Sequence, residues 1–297
     1  MEGGRIISTE PFYAYIKIAE GCSNNCTYCA IPSIRGKYRS RRMDDIVKEA
    51  RWLAENGVTE LVVVAQDTTR YGEDIYGKSM LPELLTALCE IDGFKWIRTL
   101  YCYPERITDE LLDVIAKEDK LVKYLDMPIQ HCNKTILKRM NRHGDRETLT
   151  ALIKKIREKI PNVTLRTTLI TGFPGETEEQ FEELCEFVKE IRFERLGCFA
   201  YSPEEGTPAE KFEDQVPLKD RERRAEIIME EQMIISDSLN EAALDSEVEV
   251  VCEGFDRYAE CYYGRSQADA PEIDGKIFFL SEDKVRVGEY VLSLIHI

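Results

Sequence analysis

The chain has 297 residues and a mass of 34.3 kDa, enough for one large domain plus a small one around a substantial core. Apolar residues make up 43% and charged residues 32%, and no apolar run nears the roughly 18 residues of a membrane helix, so no span is expected. The net charge of −16, from 56 acidic against 40 basic residues, argues against a general nucleic-acid binder, whose affinity comes from neutralising phosphates; it suits a basic protein partner, or solubility alone.

The opening MEGGRIISTEP shows no basic stretch followed by an apolar one, so no secretory signal is read and a cytoplasmic location is expected. In a reducing compartment the ten cysteines are expected as free thiols and metal ligands rather than disulfides. FYAYIKIAE (12–20) then reads as a strand. MDDIVKEARWLAENG (43–57) reads as an amphipathic helix that opens on Asp44 and Asp45 and stops at Gly57, and ELVVVAQD as a strand buried on both faces. The alternation continues through LPELLTALCEIDG, WIRTLYCYP, TDELLDVIAKED, YLDMPIQ, ETLTALIKKIREKI, VTLRTTLITGFPG, TEEQFEELCEFVKEI and RLGCFAYSP. Six strands separated by helices predict an α/β fold, a partial (β/α)6 TIM-like barrel of parallel strands.

Such a barrel carries its chemistry at the C-terminal ends of its strands. The residues there are Cys22, Cys26 and Cys29 after the first strand, Gln66 and Asp67 after the second, Tyr103 after the third, Gln130 and His131 after the fourth, Gly172 to Glu176 after the fifth, and Ser202 to Thr207 after the sixth. All are expected at one mouth.

Beyond residue 215 the pattern changes. LKDRERRAEIIMEEQMIISDSLNEAAL (218–244) reads as a long charged helix, and the residues after it alternate apolar and polar between turns, as a small antiparallel β-barrel does. The expected units are a core barrel over 1–215, a linker helix over 216–244 and a small β-barrel over 245–297. From Glu241 onward 13 acidic residues face 5 basic ones, a net of −8. The chain stops at LSLIHI, just after GEYV, which predicts a truncated barrel lacking its closing strand.

EGCSNNCTYCAIP (20–32) packs three cysteines in a C-x3-C-x2-C spacing. A 4Fe-4S cube usually takes one thiolate per iron, so three thiolates leave one iron open to a ligand. Structural zinc wants four ligands, and neither a second C-x2-C nor an H-x3-H stands elsewhere. Cys89, Cys102, Cys132, Cys185, Cys198, Cys252 and Cys261 are scattered in apolar patterns and read as buried small hydrophobes. Cys132, beside His131, is the exception to watch.

That spacing after a first barrel strand resembles the radical S-adenosylmethionine (SAM) superfamily. GCSNNCTYCAIPSIRGKYRSR, QDTTRYG, YLDMPIQH, RTTLITGFPGETEEQFEEL and AYSPEEGTPA together resemble its methylthiotransferases, with YLDMPIQH and QDTTRYG nearest the RimO-type branch. The likeness runs from about Tyr13 to Tyr290, and the small barrel is similar to the family's TRAM domain. It implies that Cys22, Cys26 and Cys29 hold a 4Fe-4S cluster and that SAM chelates the open iron. A 5'-deoxyadenosyl radical then abstracts hydrogen from the β-carbon of an aspartate in small-subunit ribosomal protein twelve, where a methylthio group is installed. It further implies an electron donor such as flavodoxin or ferredoxin.

By the same resemblance Gln66 and Asp67 contact the SAM amino group, Gln130 and Arg166 its ribose or carboxylate, and Gly172 and Gly175 the adenine, with Glu176 starting a helix. Each has a plainer alternative: Gln66 or Arg166 ties strands together, and Glu176 is a first-turn carboxylate. His131 is a substrate contact or a satisfied buried histidine. Arg35 opens the basic run RGKYRSRR (35–42), which touches substrate or is a solvated loop. Family members carry a further N-terminal domain with three more cysteines and a second 4Fe-4S cluster. This chain begins just before the radical domain, so it is expected to cleave SAM without completing methylthiolation. A MiaB-type tRNA adenosine methylthiotransferase is the rival enzyme, but the acidic tail argues against RNA binding. A non-catalytic iron-sulfur or RNA-binding module is the rival of another class, and it would show a damaged SAM pocket.

Overall fold

The computed structural model describes residues 6–295. The first five residues of MEGGRIISTEP and the last two of LSLIHI, on which the readings of no secretory signal and of a truncated end partly rest, lie outside the described residues.

Six strands carry the larger unit: β1 (Tyr13–Lys17), β2 (Glu60–Val64), β3 (Trp96–Thr99), β4 (Tyr124–Asp126), β5 (Thr164–Thr171) and β6 (Arg195–Ala200). β1, β2 and β3 pair in parallel, as do β4, β5 and β6. The two ladders join where Ile97 bridges Leu121 and the Cys102 N–H donates to Asp126 O at 2.8 Å. Strand order therefore follows chain order, as helical crossovers between parallel strands require. The expected partial (β/α)6 barrel is what the chain forms.

The connecting helices bury one apolar stripe each against these strands. Helix Met43–Glu55 buries Ile46, Ala50 and Leu53, and helix Leu81–Cys89 buries Leu81, Leu84, Leu85 and Leu88. Each such leucine contributes about 1.5–3 kcal/mol by leaving water. Starts are set locally: Asp145 with Thr148 and Thr177 with Gln180 form capping boxes for helices Arg146–Lys159 and Glu178–Ile191. Glu176 thus lies outside its helix, in contrast to the expectation that it begins one.

Helix Leu218–Ala242 does more than link. It buries Arg221 and Arg224, whose guanidiniums reach Tyr201 O (3.1 Å) and the Glu176 carboxylate (2.8 Å). A charged helix can lie against the barrel because these arginines find carbonyl and carboxylate partners there.

The terminal unit is a four-stranded antiparallel sheet of β7 (Glu247–Asp256), β8 (Cys261–Arg265), β9 (Ile277–Phe279) and β10 (Tyr290–Leu294), in the order β9-β8-β7-β10. A bulge at Tyr263/Gly264 bends it, and a Cβ on Gly264 would stand 2.0 Å from Val251 O, so that position accepts glycine alone. The sheet is open, with β9 and β10 at its two edges and unpaired with each other among the described residues. Tyr290–Leu294 pairs with Glu247–Val251, because the alternation in GEYV continues through LSL.

The segment 266–274, between β8 and β9, runs back against the larger barrel. Asp269 pairs with Arg195 (2.7 Å), Asp274 accepts from the Tyr124 hydroxyl (2.6 Å), and Gln267 O accepts from Arg98 (2.8 Å). Apolar packing accompanies these polar ties: Val251 and Ala270 share a cluster with Phe12, Tyr13, Val62, Trp96 and Tyr124.

Candidate active site at the mouth of the barrel

The cysteine loop leaves β1 through Gly21, at φ 78°. A Cβ there would meet Lys37 O at 2.4 Å, because the basic segment folds back behind the loop as a short ladder, Ala19–Glu20 against Arg39–Ser40. Cys22 N–H donates to Gly36 O (3.1 Å) and Thr27 N–H to Met140 O (3.1 Å). Asn24 Nδ2 donates to Asp67 Oδ2 (2.8 Å), while Asn141 Nδ2 donates to Asn24 O and Asn25 O (3.1 and 3.0 Å). The loop is thus cross-tied to three other loops before any ligand binds.

Cys22, Cys26 and Cys29 line one cavity of about 440 Å³, together with Tyr28, Ile31, Gln66, Tyr101, Tyr103, Gln130, Arg142 and Thr168. Among the described residues no three His, Cys, Asp or Glu side chains converge on a single-ion site, and three thiols spread over a cavity wall suit a larger inorganic core. The cavity also holds an orphan: Gln66 Oε1 is buried without a hydrogen-bond partner. A carboxamide oxygen accepts, so it fits the ammonium of an amino acid. Donor set, volume and unpartnered acceptor all fit a 4Fe-4S cluster with SAM.

Burial pushes the thiols of Cys22 and Cys29 up from their ordinary range, so metal must displace their protons. Cys26 Sγ lies 2.7 Å from the Tyr103 hydroxyl. Burial also lifts the Tyr28 and Tyr103 hydroxyls far above their usual range, and both remain donors. Above the Tyr103 ring, 3.8 Å from its centroid, lies the buried guanidinium of Arg142, which donates to Pro128 O (3.0 Å) and lies 3.7 Å from Glu105. Arg142 was missed in the sequence because MNRHGD follows the short helix Lys134–Arg139, not a strand end. Tyr101 was within reach, two residues past β3.

Of the expected mouth and site residues, the cavity gathers the three cysteines, Gln66, Tyr103 and Gln130. The others are placed elsewhere. Asp67 is fully buried and accepts from Asn24 and Thr69 (2.5 Å), so it anchors the cysteine loop. Arg166 pairs with Asp126 at 2.9 Å, its register partner on β4, and thus ties strands. The Gly172 N–H is taken by the Glu176 carboxylate (3.0 Å), and a Cβ on Gly172 would stand 2.4 Å from Arg221 Cγ, so the packing of the long helix by itself requires the glycine. The Gly175 N–H is taken by Asp214 O at 2.8 Å. His131 is fully buried, with Nδ1 accepting from Asn133 N–H (2.9 Å) and Nε2 3.5 Å from Glu176. Arg35 is exposed, 3.8 Å from Glu20. Cys132 is buried, and burial raises its thiol.

A parallel partial barrel whose mouth carries a three-cysteine loop lining a cavity of about 440 Å³ defines an enzyme class that uses a cluster with an open iron. The profile of the Radical SAM superfamily matches residues 16–188, and that of the TRAM domain matches residues 246–296. The chain belongs to the radical SAM superfamily, whose members use a 4Fe-4S cluster and SAM. It is 51% identical over 290 residues, 98% of its length and 65% of the relative's, to a protein of Clostridium tetani named "Ribosomal protein uS12 methylthiotransferase RimO". It is 53% identical over 287 residues, 97% of its length and 64% of the relative's, to the protein of that name from Clostridioides difficile. The chain thus spans just under two thirds of these relatives. Among solved structures, coproporphyrinogen III oxidase of Escherichia coli aligns with a TM-score of 0.54 at 22% identity, over 76% of this chain and 52% of that one. Streptococcus suis SuiB aligns at 0.51 and 19%, over 74% and 46%. These two likenesses concern the fold. No helix among the described residues is long and apolar enough to cross a membrane.

Proposed function

We propose that this chain is the radical-generating core of a methylthiotransferase that modifies the β-carbon of an aspartate in ribosomal protein uS12. The observation that carries the reading is the convergence of Cys22, Cys26, Cys29 and the orphaned Gln66 Oε1 on one cavity, in a chain about half identical to proteins named for that activity. When bound, the cluster and SAM supply one electron and, by sulfonium cleavage, a 5'-deoxyadenosyl radical. The protein does the rest. The three thiolates would hold the cluster, and the unpartnered Gln66 Oε1 would accept from the SAM ammonium. Gln130, held at φ 71° by the bonds from its own N–H to Thr168 O and from Ile170 N–H to its carbonyl, lines the same cavity. Tyr28, Ile31, Ala65 and Pro128 exclude water from the radical. Arg142 sets a buried positive charge beside Cys26 and Tyr103.

Sulfur transfer is assigned to a longer form with a second 4Fe-4S cluster, and the electron to a flavodoxin or ferredoxin. The net of −8 over residues 241–297 supports a basic protein substrate over tRNA. Anaerobic reconstitution with dithionite tests the first half: this chain forms 5'-deoxyadenosine, and Cys26→Ala does not. Offering uS12 and tRNA to the longer form tests the second. Thiolation of tRNA alone would overturn the substrate, and methylthio product from these 297 residues alone would overturn the division of labour.

A further inference from the structure

Beside the first cavity lies another of about 520 Å³, lined by Tyr15, Lys17, Gln66, Tyr101, Glu272 and Ile273 among others. Ala65, Gln66 and Tyr101 line both, so the two adjoin. Glu272 and Ile273 come from the terminal unit, on the segment between β8 and β9.

That segment is fixed from the barrel side. Pro271 O accepts from the Tyr15 hydroxyl at 3.0 Å, in addition to the ties at Asp269, Asp274 and Gln267. Two of the lining residues hold left-handed backbone without being glycine: Tyr101 at φ 61° and Glu272 at φ 63°. Such conformations cost about 1–3 kcal/mol each and concentrate at ligand clamps. The surroundings enforce the first, since Tyr101 N–H donates to the buried Asp126 carboxylate (3.0 Å) and its carbonyl accepts from Thr68 N–H (3.0 Å).

The charges are asymmetric. Lys17 is already paired with Glu20 at 2.7 Å. Glu272 is exposed, and among the described residues it has no Lys, Arg or His within 4.0 Å; its neighbours are tyrosine hydroxyls, Tyr15 at 3.5 Å and Tyr13. An unpaired carboxylate among aromatic rings is a receptor for a cation, which gains a charged hydrogen bond and a π face together. It repels phosphate.

We propose that this second cavity seats an arginine or lysine side chain of the polypeptide whose aspartate enters the first cavity, with Glu272 as counter-charge and Tyr15 and Tyr101 as walls. The inference rests on the protein-substrate reading and deepens it: the terminal unit completes the substrate site.

The test is fluorescence anisotropy on the reconstituted chain with SAM. The probes are two labelled nonapeptides, each with one aspartate, one carrying arginine two residues away and the other glutamine there. Wild type should prefer the arginine peptide by about three- to tenfold, Glu272→Gln should lose that preference, and Glu272→Asp should keep part of it. Glu282→Gln, in the loop between β9 and β10 of the same terminal unit and outside both cavities, should retain it in full. Iron content near wild type certifies the fold of each variant. A preference that persists in Glu272→Gln overturns the assignment and leaves the protein-substrate reading standing. Equal binding of both peptides by wild type, or no binding of either, also overturns it. Binding of a tRNA anticodon stem-loop in their place overturns both.

Discussion

The buried side chains of Glu60 and Arg265, 205 positions apart, meet at 2.5 Å and join the first residue of β2 to the last of β8. The other oxygen of Glu60 accepts from Arg98 Nε at 3.1 Å, and Arg265 Nε reaches Glu253 at 2.5 Å. Two carboxylates thus balance two guanidiniums at the seam between barrel and terminal sheet, and Glu60 bridges both cations. Arg265 and Arg98 also lie over the Tyr13 and Tyr124 rings, at 5.5 and 4.6 Å from the centroids.

Removing Glu60 therefore leaves the buried Arg98 with only the Gln267 carbonyl and Arg265 with Glu253 as its one carboxylate. Glu60→Ala should lower unfolding stability by about 3–5 kcal/mol, measured from urea midpoints, and Glu60→Gln by less because it keeps an acceptor. A loss under about 1 kcal/mol for Glu60→Ala would show that the seam carries no such charge cluster.

Gln66 and Arg166 separate cofactor contact from strand tie. Gln66→Leu should weaken SAM binding by roughly tenfold at unchanged iron content, the worth of one hydrogen bond to a charged group. Arg166→Met should strand the buried Asp126 and lower stability by about 1–3 kcal/mol, with SAM affinity held within about twofold. Equilibrium dialysis with labelled SAM and urea unfolding read the two effects. The reverse pattern would restore Arg166 to the SAM site and remove Gln66.

Thiol reactivity should sort the cysteines by burial. Burial pushes the thiol of Cys102 up to about 12, so it stays protonated and inert through pH 8 and becomes a thiolate only near pH 12. In cluster-free protein, iodoacetamide at pH 8 should label the half-exposed Cys22 and Cys29 and spare the buried Cys102 until denaturant is added. Peptide mass mapping checks this. Early modification of Cys102 would mean that the floor of the cavity is open.

The six strands, their helices and the three-cysteine loop were legible because each is local: period, caps and spacing lie within about fifteen residues. What stayed hidden depends on side-chain direction. Gln66 and Asp67 are neighbours at one strand end, yet one lines the cavity and the other turns back to hold Asn24 and Thr69. Gly172 reads as a cofactor glycine in the sequence, and the room it leaves for Arg221, 49 residues on, could not be seen there. Glu272 carried no signal at all. Its position depends on the inward row of Arg98, Arg166 and Arg195 meeting a loop from the far end of the chain.

Arg142 is where buried charge should be readable in the redox chemistry. Its guanidinium is held over the Tyr103 ring and against Pro128 O, and Tyr103 in turn contacts Cys26 Sγ. A fixed positive charge favours the reduced, more negative state of a nearby cluster, and at an effective dielectric near 20 that preference is worth about 1–2 kcal/mol. Arg142→Met should therefore move the cluster's midpoint to more negative potential by roughly 60 mV, a tenfold change for a one-electron couple. Arg142→Lys, which keeps the charge but loses the planar fork, should fall between. The midpoint is read by redox titration followed by electron paramagnetic resonance, with iron counts to confirm that the cluster is retained. Slower 5'-deoxyadenosine formation should track the potential across the three proteins. An unchanged midpoint with lowered stability would reduce Arg142 to a packing residue that only braces Tyr103.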